Sequence, residues 1–201
     1  MEFLIFAFIG SLAAYALYLT FRGHSSPITD PTLGLLNIGG DTFTQLMEED
    51  RASLGALFPK VEVGSGLQIP KCDVLFVYTD IAADGQIGLG KGLTIRHLAE
   101  RAAASIMVLA APNSWEHIAQ AVKQDGPKRA NLVCTMDRKG SIFSSFFRKL
   151  FELMRAGKFM PMAWNSLAPQ VPSRVDAHTD VPETVAILEA GQVKFTWTNP
   201  K

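Results

Sequence analysis

Apolar residues along this chain fall into three patterns, and each predicts a different kind of element. From Phe3 to Phe21 (FLIFAFIGSLAAYALYLTF) there is no charged residue. At ~1.5 Å of rise per residue, a helix over this run covers about the ~30 Å of a bilayer core. It has no polar face to turn toward water, so it predicts a transmembrane helix within an anchor of residues 1–22. A cleaved leader would carry a basic start and a small-residue cleavage site. Here Glu2 precedes the run, and Tyr18, Leu19 and Phe21 close it. Arg22 follows directly, with no Lys or Arg before the run, which places the C-terminal domain in the cytoplasm by the positive-inside tendency. Gly10 and Ala14 form a small-xxx-small pair through which two anchors would pack.

The second pattern is a short unbroken apolar run, at 72–78 (CDVLFVY), 105–111 (SIMVLAA) and 131–136 (NLVCTM). Such runs predict strands buried on both faces. A shorter strand is expected at 60–63. The third pattern repeats every three to four residues and predicts helices over 94–104, 115–123 and 141–156. In the last of these, Phe143, Phe146, Phe147, Leu150, Phe151 and Met154 share one face. Asp41 and Thr42 are placed to cap a helix reaching Leu54, and a short helix is expected over 161–167. Residues 184–188 and 192–197 straddle Gly191 and predict a terminal hairpin. Residues 23–40, with Pro27, Pro31 and several Gly, Ser and Thr, read as a linker. The folded domain is therefore expected over 41–201. Strands alternating with helices predict an α/β fold, a mainly parallel sheet with helices on both faces.

Composition narrows the function classes. The 201 residues allow one domain beyond the anchor. Nineteen Lys plus Arg balance nineteen Asp plus Glu, so no global field favours nucleic acid, and no nucleic-acid partner is expected. The two cysteines, Cys72 and Cys134, lie in apolar runs and read as buried thiols. No Cys/His grouping has zinc spacing, so neither a metal nor a cofactor is expected.

Candidate chemistry gathers after the strand at 72–78. Gly85, Gly88, Gly90, Lys91 and Gly92 fit a G-x-x-x-x-G-K loop, whose backbone N–H groups cradle phosphate while the lysine reaches the terminal phosphoryl group. Gly92 stands where a hydroxyl would hold magnesium, and glycines that serve only a surface turn explain the same letters. Asp137, after the strand at 131–136, is a candidate second acid. Asp80 follows a strand and would line a crevice at the carboxyl edge of the sheet, Glu116 would present an acid from a helix start, and Asn113 is a further candidate ligand-binding residue. His97 and His117 fall inside helices and His24 beside the anchor, so no Cys–His pair is expected.

From about residue 45 onward the element order resembles a caspase-like domain of the CHAT type. The segments LFVYTDIAADG, SIMVLAAPNS, NLVCTMDRKG, SIFSSFFRKLFELMRAG, MPMAWNSLAPQ and PETVAILEAGQVKF carry the likeness. In that family one strand ends in a His-Gly turn and the next in an Ala-Cys turn. This chain has Thr79-Asp80 at the first place and Ala111-Pro112-Asn113 at the second. The resemblance thus implies a three-layer pseudo-protease: a membrane-held module that binds a protein partner, another copy of itself or a small signal. The segment SIMVLAAPNSWEHIAQAV also resembles a strand and acid-bearing helix of TIR domains, which would imply an NAD-cleaving enzyme using Glu116. The phosphate-loop reading implies a nucleotide-binding module instead.

Overall fold

The computed structural model describes residues 25–88, 92–138, 141–167 and 183–198. The expected anchor lies outside them, and no helix among the described residues is long and apolar enough to cross a membrane. Among the described residues there are eight strands: β1 (Ser25–Thr29), β2 (Thr32–Asn37), β3 (Lys60–Ser65), β4 (Val74–Tyr78), β5 (Ile106–Leu109), β6 (Asn131–Asp137), β7 (Glu183–Leu188) and β8 (Gln192–Thr196). Five α-helices accompany them among the described residues: α1 (Thr44–Leu54), α2 (Ile95–Ala102), α3 (Trp115–Asp125), α4 (Ser141–Arg155) and α5 (Met160–Leu167).

The main sheet has the order β3-β2-β4-β5-β6-β7. Strands β3 to β6 are parallel, and β7 runs antiparallel beside β6. The unbroken apolar runs are explained by their two-sided burial. Phe76, Val108 and Val133 face one core with α1, α4 and α5, while Leu75, Met107 and Leu132 face another with α2 and α3. On the first side Phe76 meets the rings of Phe143, Phe147 and Phe151 at centroid distances of 6.4, 5.1 and 6.2 Å. The Phe-rich face of α4 is therefore core packing.

Two expectations need correction. The segment read as a linker contains β1 and β2, and β2 lies inside the sheet with Leu33, Leu35 and Leu36 fully buried. Its apolar letters are interrupted by Gly34, whose missing side chain is what the fold requires. An added Cβ there would collide with Cys72 Sγ, and one at Gly64 would collide with the Gln68 carbonyl. These two glycines let residues 66–73 cross the sheet face from β3 to β4 without a helix. The terminal hairpin is also absent. β7 pairs with β6, and β8 pairs in parallel with β1 in a separate two-stranded ribbon. The turn between β7 and β8 is held by Asn131, which donates to Gly191 O at 2.9 Å and accepts from Ala190 N at 2.9 Å.

A smaller correction concerns α1. A 3-10 turn over Asp41–Phe43 precedes it, and no side chain caps either helical start. By contrast Thr94 and Ser114 cap α2 and α3 through bonds from His97 N (3.1 Å) and His117 N (3.3 Å).

Candidate functional site at the carboxyl edge

In the order β3-β2-β4, the chain turns one way from β2 and the other way from β4. That makes the carboxyl ends of β2 and β4 a topological switch point, where open α/β sheets present their ligand crevice. The turn after β2 is built by Asn37. Its amide donates to Gly40 O at 2.9 Å and Thr44 Oγ1 at 3.3 Å, and its oxygen accepts from Gly39 N at 3.2 Å. Gly40 takes a φ of 91°, left-handed backbone that glycine adopts at no steric cost. Beside this turn lies a cavity of about 400 Å³ lined by Ile38, Asp41, Met47 and Ser65 among others.

Beneath the crevice sits a buried charge network that sequence reasoning missed. Asp50, fully buried on α1, accepts from the Tyr78 hydroxyl at 2.8 Å. Arg138 grips the same carboxylate with two nitrogens, at 2.9 and 2.7 Å, and donates to Ala110 O at 3.2 Å. Its guanidinium carbon lies 4.0 Å from the centre of the Phe143 ring. Burial pushes the Asp50 carboxyl above its ordinary range, and the bonds from Arg138 and Tyr78 pull it back in part. Burial, with the Asp50 charge beside it, raises the Tyr78 hydroxyl well above its usual value. An aspartate and an arginine 88 residues apart leave no local signal in sequence. Only the matched burial of two charges betrays them.

The expected site residues are distributed as follows. Asp80 is exposed at the end of β4. Asn113 is buried after β5 and braces the edge. Its amide donates to Thr79 O at 3.3 Å and Ala111 O at 3.0 Å, and its oxygen accepts from Ile81 N at 2.7 Å. With Asn113 N bonded to Thr135 O at 3.0 Å, one residue ties together the ends of β4, β5 and β6. Glu116 is exposed in the first turn of α3, beside a Trp115 that remains 49% exposed.

The described glycines of the loop have different surroundings. Gly85 (φ 83°) presses on α3, where an added Cβ would lie 2.8 Å from Ala121 N. Gly88 (φ 74°) packs near Ile38, and Gly92 (φ 64°) is open to solvent. Gly90 and Lys91 lie outside the described residues. Ile87 is fully buried and bridges both Ile81 and Leu93, so this part of the loop packs as core. The amino end of α2 already faces a carboxylate of its own chain. Thr94 donates to Asp125 Oδ2 at 2.6 Å, and Arg96 pairs with Asp125 at 2.8 Å.

Neither thiol reaches the carboxyl edge as a nucleophile. Cys72, before β4, and Cys134, inside β6, are buried and free, and burial pushes both thiols up to about 12. Among the described residues, no group of three or more His, Cys, Asp or Glu is placed to hold a metal ion. No protein-family model matches this chain, and no curated protein sequence matches it.

Proposed function

We propose that this chain is a membrane-anchored, catalytically degenerate caspase-like domain that recognises a protein partner or signal at its carboxyl edge. The observation that carries this reading is the contact between Thr79 and Asn113. The resemblance would put a histidine after the first of two neighbouring strands and a cysteine after the second. Those two places do meet, at the ends of β4 and β5, with the Asn113 amide 3.3 Å from Thr79 O. They meet as a brace. Asn113 has its donor and acceptor atoms engaged with backbone, and neither an imidazole nor a thiol stands at either place.

What the edge offers outward suits recognition. Trp115 lies two residues beyond Asn113 and is half exposed, and Asp80 and Glu116 are exposed at neighbouring element ends. A tryptophan of this kind with a charged rim is the composition of an interface anchor. Confinement by the anchor would raise the effective concentration of partners on the same membrane.

The test is a photo-crosslinking amino acid at position 115 of the full chain in its native membranes, with position 128 as control. The reading expects a discrete protein adduct from 115 that is lost with Asp80→Ala or Glu116→Ala. Turnover of peptides, nucleotides or NAD by the reconstituted full chain, lost with Asp80→Ala or Glu116→Ala, would overturn it.

A further inference from the structure

The opposite edge of the sheet, where the parallel strands begin, holds a cleft of about 690 Å³. Its floor is made of small residues, Ala99, Ala103, Ala104 and Ala130, and its rim carries Arg96, Lys128 and Arg129. Further exposed cations stand around it. Arg101 ends α2, whose Ala102 O accepts from Cys72 N at 3.0 Å, which brings Lys71 alongside. Lys158 comes two residues before Met160, whose sulfur receives a bond from Asn131 at the start of β6. Against them stand Glu100 and Glu189, exposed, and Asp73, whose carboxylate accepts from Thr32 N at 2.8 Å. Arg96 and Asp125 neutralise one another.

The described chain begins at this same edge. Ser25, the first residue of β1, is in register with Gln192, the neighbour of Gly191, which Asn131 holds at 2.9 Å. Asn131 N in turn bonds Ser105 O at 2.8 Å, and Ser105 lines the cleft. Because β1 is structure and not linker, only residues 22–24 separate Phe21 from Ser25. At ~3.6 Å for each of the Cα–Cα steps from Phe21 to Ser25, the span is about 14 Å at most. Arg22 adds one more cation within that tether.

We propose that the amino edge of the sheet, around the Arg96–Lys128–Arg129 cleft, docks on the anionic headgroups of the membrane that holds the anchor. A negatively charged leaflet attracts cations close to its surface, and the attraction falls off within a Debye length. The short tether, about 14 Å at most, keeps the start of β1 within about two Debye lengths of that surface. The carboxyl edge, with Asp41, Asp80 and Glu116 exposed, is then turned away from the membrane and toward its partner. This inference rests on reading Phe3 to Phe21 as an anchor, and the experiment separates the two.

The full chain is first mixed with vesicles and floated. It is then placed in nanodiscs of phosphatidylcholine, with or without phosphatidylglycerol, and labelled at Glu100→Cys in the cleft or at Asp80→Cys on the far edge. Cys72 and Cys134 are buried, so the label goes to the introduced thiol. Quenching by a nitroxide on the lipid headgroup is the readout. In anionic discs the label at position 100 should be quenched several-fold more than the one at 80. High salt, or Lys128→Glu with Arg129→Glu, should collapse that difference. A chain that does not float overturns the anchor and the docking together. A chain that floats but shows equal quenching, stronger quenching at 80, or a difference indifferent to salt and lipid charge overturns the docking alone.

Discussion

The two edges of this sheet are built from the same strands and do opposite things with their polar groups. At the carboxyl edge, the amides and one ion pair are turned inward, while Asp41, Asp80 and Glu116 stay exposed. Asn113 ties three strand ends, Asn37 closes the turn after β2, and Asp50, Tyr78 and Arg138 satisfy one another under the crevice. At the amino edge the charges stand on the rim of a cleft floored with alanine, and among the described residues only Arg96 is held in an ion pair there. The first edge uses polar chemistry to fix geometry, and the second leaves its charge outside. The difference teaches that a switch point rich in polar residues need not be a reaction site. What matters is how many donors and acceptors remain after the fold has used its own.

The comparison breaks most visibly at Arg138. Arg138→Met leaves the Asp50 carboxylate buried without its partner, and such a loss costs about 3–5 kcal/mol. Denaturant unfolding of the full chain in detergent should show it as a large drop in midpoint with little change in slope. Asn113→Ala comes next. It strands Ile81 N and two carbonyls, and about 1–3 kcal/mol is expected because a buried group left unpaired costs its desolvation. A variant as stable as the parent would mean that the brace is dispensable and Asn113 is free for another role.

The thiols give a pH test that should not distinguish the edges. Both are raised from 9.0 to about 12, so the folded protein holds them neutral where the unfolded chain ionises them. Their contribution to stability is complete below pH 9.0 and is lost as pH rises toward about 12. Thiol reagents at neutral pH should label neither in the native protein and both after denaturation. The smallest effect sharpens the contrast. Lys128→Glu with Arg129→Glu, on the exposed rim, should leave stability within about 0.5 kcal/mol per site, in the same assay that Arg138→Met fails.

Much of the fold was legible because buried strands and amphipathic helices write unambiguous periods. The runs around Val74–Tyr78, Ile106–Leu109 and Asn131–Asp137 emerged as strands. β2 was hidden because Gly34 and the flanking prolines mimic a linker, although Gly34 is there for close passage of Cys72. The hairpin failed because strand pairing is decided by distant partners. Nothing in residues 184–197 announces that β7 joins β6 while β8 joins β1. Asp80, Asn113 and Glu116 lie at the carboxyl edge, as residues just past buried parallel strands must. Their roles were not legible, because the Asn113 bonds and the Asp50–Arg138 pair join segments remote in sequence.

The most direct test of a braced, non-catalytic edge is thermal stabilisation of the full chain in nanodiscs by nucleotides, NAD and cyclic dinucleotides. A ligand at 100 times its dissociation constant would add about 2.7 kcal/mol, a shift of several degrees. The account predicts no shift with any of them, in the parent or in Lys91→Ala. A shift of that size in the parent, absent in Lys91→Ala, would contradict it and make residues 85–92 the working site of a nucleotide-binding module.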